Sequence, residues 1–444
     1  MKLFKSVLLL LLIGIIFGVL ARGFGGASVG DYDPKMINTG DTAWVLTAAA
    51  LVLIMTPGVG FFYGGMVRSK NVVSVLKQSI VILIIVSLQW VLIGYSLSFG
   101  QDIKGIIGGL NFLGLKGVGF APNFNYASTI PHLAFMIFQA KFAIITPALI
   151  IGAFAERIRF KTLIIFTLIW TTLVYNPVAH WAWGTGGWLK NLGVLDFAGG
   201  TVVHITAGVS ALAAAIVVGR RIGIKKGEGV PANNIPLVIL GATLLWFGWF
   251  GFNAGSALAA SPLAVSAFVV THTAAAASAL VWMILSYAET GKPSAMATVT
   301  GAVCGLVVIT PASGFVGPIS SVAIGIIGGI FTYSVLYLRT KHTTIDDSLD
   351  VFACHGVGGI TGALLTGIFA EKAINANGAN GLLFGNPNQL LIQAIAVIVV
   401  AIYSFVVTVI ILKLLDRYIG LRVSVKEEKL GLDQAVHGET GYRI

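Results

Sequence analysis

The sequence predicts an all-α polytopic membrane protein with eleven transmembrane helices, and three observations support that prediction. Of the 444 residues, 57% are hydrophobic and only 10% are charged, whereas roughly a quarter of the residues in an ordinary soluble domain are charged. After an amino-terminal leader the apolar residues fall into eleven long segments, each near the ~20 residues that a helix needs to cross a bilayer. The loops between these segments alternate between many and few positive charges, which is typical of a chain that crosses the membrane repeatedly.

The leader comes first. Lys2 and Lys5 precede an apolar run at residues 7–20, and Ala21 is a candidate cleavage position. This pattern is typical of a signal peptide, which we assign to residues 1–22. A retained additional amino-terminal helix is the alternative that the sequence leaves open.

The apolar segments that follow divide the chain into two halves, a last helix and a tail. The halves are residues 41–220 and 235–371, with five helices each; helix 11 occupies residues 388–416, and a cytoplasmic tail occupies 417–444. The individual segments lie at residues 43–66, 72–99, 133–155, 162–183, 194–219, 235–258, 263–287, 295–311, 317–338, 351–370 and 390–415.

The distribution of Lys and Arg predicts the orientation of the chain. With eleven crossings, alternate loops share a side of the membrane; one set, with the tail, holds eighteen Lys and Arg, and the opposite set holds five. Because cytoplasmic loops carry the excess of these residues, we expect the mature amino terminus outside the plasma membrane and the carboxyl terminus in the cytoplasm. This topology accounts for the net charge of +11, and no nucleic acid partner is expected.

Two of the apolar segments carry a histidine at membrane depth after an aspartate. Asp196 precedes His204 in the fifth segment, and Asp350 precedes His355 in the tenth. Ionisable groups are costly inside a membrane and usually have a function there, and two neutral imidazoles in contact can relay a proton or bind a small solute. A purely structural histidine pair is the alternative. We expect both aspartates to be structural acids that cap helix amino termini.

The positions of these two segments, fifth and tenth, indicate an inverted repeat of five helices plus five. An odd number of crossings inverts the second copy, and transporters of this design bind substrate near the midplane, where the halves meet. The aspartate and histidine are eight residues apart in the first copy and five apart in the second. We expect His204 and His355 to converge from opposite faces of the membrane.

Aromatic residues form a second group at the predicted outer face. Phe138 and Phe142 lie near the start of the third segment, Trp183 ends the fourth, and residues 249–256 end the sixth. Aromatic faces near a hydroxyl can bind a small cation. The alternative is an interfacial belt, the usual role of Trp at the end of a transmembrane helix.

Four blocks of the sequence resemble the ammonium transporter family, in particular its bacterial and archaeal Amt members: residues 155–160, 196–204, 248–256 and 350–356. The resemblance extends from about Asp41 to the tail segment 431–439 and rests on the order and joint presence of the blocks. It implies a homotrimer in the membrane lipid, with a pore in each eleven-helix protomer, and a transporter rather than an enzyme. It also implies a PII-type signalling protein as a partner at the cytoplasmic face, and we expect no cofactor or metal.

The resemblance also implies roles for single residues. Those that match an external ammonium recruitment site are Phe138, Phe142, Trp183 and Ser256. Phe142 and Phe252 match the stacked pair that closes the pore below that site. His204 and His355 match the twin histidines of the pore, and Asp196 matches a structurally important acid near the recruitment site.

The mechanism that the resemblance implies is capture of ammonium, loss of its proton and passage of ammonia, with the proton conducted separately in many members. Elementary energetics agree with it, because a bare cation in an apolar pore pays several kcal/mol or more for desolvation. Potassium has no proton to release and would have to cross as an ion.

Two residues depart from the family pattern or have no role in it. Lys141, beside Phe142, stands where the family more often has a small residue, and we expect its side chain to point outward or between subunits. His272 is a further imidazole in the seventh segment, and we expect it to make a structural hydrogen bond to a helix backbone.

Three other classes of protein remain as alternatives. An ammonium sensor would use the same pore residues and add a cytoplasmic signalling domain, for which the 29 residues after Leu415 are too few. A haem-bearing membrane oxidoreductase could use two buried histidines as axial ligands. A potassium-type channel would need a carbonyl-lined filter, for which we find no segment. Cys304 and Cys354 lie in apolar segments, so we expect neither a disulfide framework nor a thiolate metal site.

Overall fold

The computed structural model describes residue 14 and residues 32–442 except 226 and 228. Apart from residue 14, the predicted signal peptide at residues 1–22 lies outside the described residues, as do the last two residues of the predicted tail. The described residues are mainly helical. They also contain a two-stranded antiparallel ribbon, β1 (Asp102–Ile103) with β2 (Ile107–Gly108), in the loop between the second and third helices.

Ten helices in the described part of the chain are long and apolar enough to cross a membrane, as expected of a multi-pass membrane protein. They are α1 (Thr39–Met66), α2 (Ser69–Phe99), α3 (His132–Phe154), α4 (Phe160–Leu192), α5 (Gly200–Val218), α6 (Ile235–Ala257), α7 (Pro262–Thr290), α9 (Pro318–His342), α10 (Phe352–Phe369) and α11 (Pro387–Tyr418). A shorter apolar helix, α8 (Ala295–Ile309), lies between α7 and α9.

Helix α8 is where the structure differs from eleven full crossings. It has 15 residues, and at ~1.5 Å per residue it is shorter than the ~30 Å hydrocarbon core. The chain continues through residues 310–316 as a buried turn, and the indole N–H of Trp249 donates a hydrogen bond to the Thr310 hydroxyl at 2.9 Å. Helix α8 and this turn together occupy the position of the predicted eighth crossing.

Helix α5 begins later than the apolar pattern predicts, at Gly200 rather than residue 194. The cause is Asp196, whose carboxylate accepts four backbone N–H bonds from residues 199–202 at 2.7–3.0 Å. This carboxylate satisfies the donors that every helix start leaves free, and it does so from the preceding loop. His204 therefore lies in the first turns of the helix. The predicted start at residue 194 would have placed it more than two turns beyond the start.

Helices α5 and α10 both begin with a π-helical segment, Gly200–Ile205 and Phe352–Val357. Such wide turns are uncommon and often occur at functional sites. The helices run antiparallel, because Gly359 lies next to Gly200 whereas Gly356 lies next to Gly208. A Cβ at Gly208 would lie 1.9 Å from the Gly356 amide nitrogen, so glycine is needed for the two backbones to touch.

A buried arginine joins several helices at one end of the bundle. Arg157, in the turn after α3, donates from Nε to the Gly219 carbonyl at 2.8 Å and from Nη2 to the Asp346 carbonyl at 2.7 Å. Its Nη1 donates to the Ser348 hydroxyl at 2.6 Å. One side chain thus links the end of α3, the end of α5 and the loop before α10.

The tail folds back onto the same end of the bundle, where it forms helix α12 (Val425–Leu430). Glu428 accepts hydrogen bonds from the Ile222 amide at 2.6 Å and from Arg422 at 2.7 Å. Asp433 accepts from the Ser74 amide near the start of α2 at 2.7 Å. The loops that the tail contacts belong to the set rich in Lys and Arg.

Candidate functional site

Two buried histidines meet where α5 and α10 cross. The Nδ1 atoms of His204 and His355 are 3.2 Å apart, and the two rings are nearly parallel, with centroids 5.3 Å apart. Only 1% of His204 and 4% of His355 is exposed. One nitrogen of the contact must donate and the other accept, so the pair shares a proton along that line.

The second ring nitrogen of His204 is free. Within the described residues, Nε2 of His204 is buried and has no hydrogen-bond partner. The ring itself is held between the histidine partner and the aromatic rings of Trp249 and Phe252, at centroid distances of 5.4 and 5.9 Å. A fixed imidazole with one open nitrogen is suited to hydrogen-bond a small solute.

A continuous series of aromatic rings leads to this pair from the end of the bundle opposite to Arg157. Trp183 lies 5.8 Å from Phe142, and Phe142 lies 4.3 Å from Phe252, which contacts His204. Phe138 packs edge-on against Phe142 at 5.0 Å. Phe142 and Phe252 are fully buried, and they lie between Trp183 and the histidine pair.

Three of the four predicted recruitment residues are therefore in ring contact, and the fourth lies beside them. Ser256 follows Gly255, whose Cβ position is 2.8 Å from the ring of Phe138. The Ser256 hydroxyl donates to the Phe252 carbonyl at 2.9 Å, which leaves its oxygen lone pairs available as acceptors. The Trp183 indole donates to the Asp196 carbonyl at 2.9 Å.

Asp196 is buried behind this aromatic cluster. Burial raises the pKa of its carboxyl group, whereas the four backbone N–H donors act in the opposite direction. Both carboxylate oxygens of Asp196 accept from backbone amides at the start of α5, so the structure gives this side chain the role of a helix cap. By this cap, Asp196 fixes the turn that carries His204.

Two cavities lie at and beyond the histidines. The smaller, about 10 Å³, is lined by both histidines and by apolar side chains such as Leu149 and Val203, and it has room for about one water-sized molecule. The larger, about 360 Å³, extends from His355 to the Lys- and Arg-rich loops. His355 and Tyr63 line both cavities and stand between them.

The larger cavity is bordered by carboxylates in contrasting states. Asp346 is buried, which raises its pKa, but bonds from Arg221 outweigh burial and hold the pKa at about 2. Asp347 is also buried, and although Arg339 opposes the effect, burial raises its pKa to about 6. One Asp347 oxygen accepts from the Phe352 amide at 2.7 Å, and the other has no hydrogen-bond partner within the described residues.

The prediction that Asp350 caps α10 is wrong. Asp350 has a positive φ of 59° and forms an ion pair with Arg339, which directs its carboxylate away from the helix start. Asp347 takes the capping position instead, through its bond to Phe352. The sequence contained a signal for it, because Asp347 precedes His355 by eight residues, as Asp196 precedes His204.

Lys141 and His272 lie outside the aromatic and histidine path. Lys141 is half-buried, whereas the neighbouring Phe142 is fully buried, and Lys141 lines neither cavity. His272 is exposed on α7, with Trp246 at 5.4 Å and Phe250 at 6.3 Å between ring centroids. These ring contacts replace the predicted backbone hydrogen bond. Residues 32–442, apart from 226 and 228, contain no cluster of three or more metal-ligating side chains.

The chain is similar to known proteins over most of its length. The sequence model of the Ammonium Transporter Family matches residues 43–442 of this chain. The chain is 48% identical over 404 residues to an ammonium transporter of Bacillus subtilis. The aligned region covers 91% of this chain and 98% of that protein.

Solved structures are also similar. The crystal structure of Candida albicans Mep2 superposes with a TM-score of 0.85 at 38% identity, covering 91% of this chain and 90% of that one. A structure described as a sensor Amt protein superposes with a TM-score of 0.82 at 36% identity, covering 90% and 98%.

Proposed function

Because the chain belongs to the ammonium transporter family, we propose that it captures ammonium at the aromatic cluster, removes its proton and conducts ammonia past the histidine pair. The observation that carries this proposal is the contact of 3.2 Å between Nδ1 of His204 and Nδ1 of His355. It lies at the smaller cavity, next to the rings of Phe142 and Phe252, which pack against each other at an angle of 37°.

The capture step follows from the chemistry of the cluster. Phe138, Phe142 and Trp183 present aromatic rings, and such faces attract a small cation by about 0.5–2 kcal/mol, depending on solvation. The Ser256 oxygen adds a hydrogen-bond acceptor, which ammonium can use and which an aromatic face alone lacks. Together they recruit a cation that donates hydrogen bonds.

The deprotonation step follows from the cost of burying a charge. Beyond the rings, the path narrows to a cavity of about 10 Å³ with apolar walls, where an ion loses its hydration at a cost of several kcal/mol or more. Ammonia loses little by comparison, because the free Nε2 of His204 can hydrogen-bond it. Potassium has no proton to leave behind and is excluded at the same point.

The histidine pair offers a separate route for the proton. The two imidazoles are in hydrogen-bond contact and reach from the small cavity to the larger one, which His355 also lines. A proton accepted on one ring can leave from the other by a change of tautomer. We propose that the proton crosses by this relay and rejoins ammonia in the larger, charged cavity.

The same family membership leads to proposals on topology and partners. We propose eleven crossings built as a five-plus-five inverted repeat, with α8 and its buried turn as the short crossing, and an assembly of three protomers. The mature amino terminus lies outside and the tail inside, because the loops joined by the tail hold most of the Lys and Arg. A PII-type protein would bind at that cytoplasmic face.

A sensor is the second candidate, favoured by the similarity to a sensor Amt protein. A sensor needs the recruitment cluster but no net flux through the histidine pair. Flux measurements on the purified chain therefore discriminate between the two candidates.

The test is ammonium-evoked current, together with internal pH change, in liposomes that contain the full chain. The double variant His204→Ala, His355→Ala is compared with the wild type and with a matched histidine variant outside the path, His272→Ala. We expect flux from the wild type and from His272→Ala, and none above empty liposomes from the double variant. Absence of flux from folded wild-type protein would overturn transport in favour of sensing, and equal flux from the double variant would overturn the role of the pair.

A further inference from the structure

The two cysteines of the chain lie in contact beside the pore. Cys304, in the middle of α8, and Cys354, on the π-helical segment of α10, are 50 residues apart in sequence, yet their sulfur atoms are 3.3 Å apart. Both are free thiols and both are buried. Cys354 directly precedes His355, so any displacement of its sulfur acts on the turn that holds the histidine pair.

Only one of these thiols borders open space. Cys354 is 7% exposed and lines the cavity of about 360 Å³, whereas Cys304 is fully buried behind it. The same cavity is lined by exposed loop residues such as Gly229. A small oxidant that enters from the loops therefore meets Cys354 first.

We propose that Cys304 and Cys354 form a site of reversible oxidation, in which hydrogen peroxide converts the two thiols to a disulfide. Peroxide transfers one oxygen atom to the Cys354 sulfur, which becomes a sulfenic acid, and one water is released. The Cys304 sulfur then attacks the Cys354 sulfur; the S–S bond forms, the S–O bond breaks, and a second water leaves with the Cys304 proton. Two electrons pass from sulfur to peroxide oxygen, and a dithiol reverses the change.

The disulfide changes the geometry of the pore. An S–S bond is about 2.05 Å long, so the sulfurs must approach by more than ~1 Å. Both flanks are tight: a Cβ at Gly305, next to Cys304, would lie 2.6 Å from the Ala274 carbonyl oxygen, and Gly356 touches Gly208. Closing the gap therefore strains the backbone on both sides, and on α10 the strain falls on the turn that carries His355, so the contact with His204 is disturbed.

The effect on transport rests on the proposed function, but formation of the disulfide does not. The test uses the full chain in liposomes, treated with hydrogen peroxide, denatured, and alkylated with N-ethylmaleimide before measurement of the intact mass. Untreated protein is expected to take up two alkyl groups. Oxidised protein is expected to take up none and to weigh less than reduced, unalkylated protein by two hydrogen atoms, and its ammonium flux is expected to fall several-fold and to return with dithiothreitol.

Matched variants separate the possible results. Cys304→Ala keeps the exposed thiol but not its partner, so no internal disulfide forms, and the double variant Cys304→Ala, Cys354→Ala is expected to keep its flux in peroxide. Two alkylatable thiols in treated wild-type protein, or a bridge between protomers, would overturn the proposal. An equal loss of flux in the double variant would overturn the link to the pore. If untreated protein carries no flux, the transport proposal fails, and the mass measurement still decides on the disulfide.

Discussion

Gly208 on α5 and Gly356 on α10 are in backbone contact, so close that a methyl group at Gly208 would lie 1.9 Å from the Gly356 amide nitrogen. Backbone atoms cannot move aside as the end of a flexible side chain can. The contact sets the distance between the two helices at the level of the histidines. The separation of His204 and His355 therefore depends on the absence of a side chain one turn away.

Gly208→Ala is accordingly expected to damage both stability and transport. Overpacking a well-packed interior costs about 1–3 kcal/mol, and contact with backbone places this change at the upper end. We expect a lower midpoint of thermal unfolding in detergent and a loss of most ammonium flux in liposomes. The matched control is Gly64→Ala on α1, where the nearest atom to the new Cβ is 3.7 Å away; a similar loss in this control would show that any alanine in a membrane helix has this effect.

Trp183→Leu is expected to weaken capture without abolishing flux. Loss of one aromatic face removes about 0.5–2 kcal/mol of cation binding, which corresponds to a rise of about two- to thirtyfold in the ammonium concentration for half-maximal flux. The maximal flux should change little, because the histidine pair is intact. Initial rates over a range of ammonium concentrations measure both quantities.

The control for Trp183→Leu is Trp181→Leu, two residues earlier on α4. The Trp181 indole donates to the Ile106 carbonyl at 2.7 Å, and its ring packs against Tyr403, so it stabilises the fold without lying in the aromatic cluster. We expect this variant to unfold at a lower temperature and to keep the half-saturating concentration of the wild type. An equal rise of the half-saturating ammonium concentration in both variants would contradict the role of Trp183 in capture.

Asp347→Asn is expected to stabilise the protein at neutral pH. Burial raises the pKa of Asp347 to about 6, above the ~4 of an exposed aspartate, so ionisation is less favourable in the folded state than in the unfolded chain. The resulting loss of stability grows between about pH 4 and pH 6, stays constant above that range, and amounts to about 3 kcal/mol at most. Asparagine removes the charge and keeps an oxygen for the Phe352 amide.

The measurement is thermal unfolding of both proteins at pH 7.5 and near pH 4.5. The unfolding temperature of Asp347→Asn should exceed that of the wild type by a large margin at the higher pH and by a small one at the lower pH. A margin independent of pH would show that the raised pKa of Asp347 is not its cause. Asp346→Asn is the matched control of opposite sign. Bonds from Arg221 hold the pKa of Asp346 at about 2 against the effect of burial, so this variant should be less stable at neutral pH, because the buried Arg221 loses one of its two carboxylate partners and keeps only Glu156.

Much of the fold could be predicted because bilayer crossing imposes long apolar helices, and the segments found in the sequence correspond to the helices of the structure to within a few residues at most ends. The exceptions have local causes. Helix α5 starts at Gly200 because the buried Asp196 carboxylate accepts hydrogen bonds from the amides of residues 199–202, and hydropathy does not report such bonds. Helix α8 ends at Ile309, where a buried turn begins that the apolar pattern continues through.

The candidate site was predictable only in part. The repeated order of aspartate and histidine indicated that His204 and His355 would meet, and the structure brings them into contact. The cap of α10 by Asp347 is a local contact, and the eight residues from Asp347 to His355 repeat the spacing from Asp196 to His204. The ring of Trp249 over His204 depends on a contact between distant segments, which local spacing does not encode. Likewise, no local pattern indicated that two glycines 148 residues apart would set the distance between the histidines.

The size of the smaller cavity, at the histidine pair, predicts how flux depends on substrate concentration. A space of about 10 Å³ admits a single water-sized molecule, so each occupant must depart before the next arrives. Flux should then level off with rising substrate in the manner of an enzyme's turnover, instead of growing in proportion as through an open conduit. Amines bulkier than ammonia should bind at the aromatic cluster without entering the smaller cavity, and should therefore inhibit the flux of ammonia.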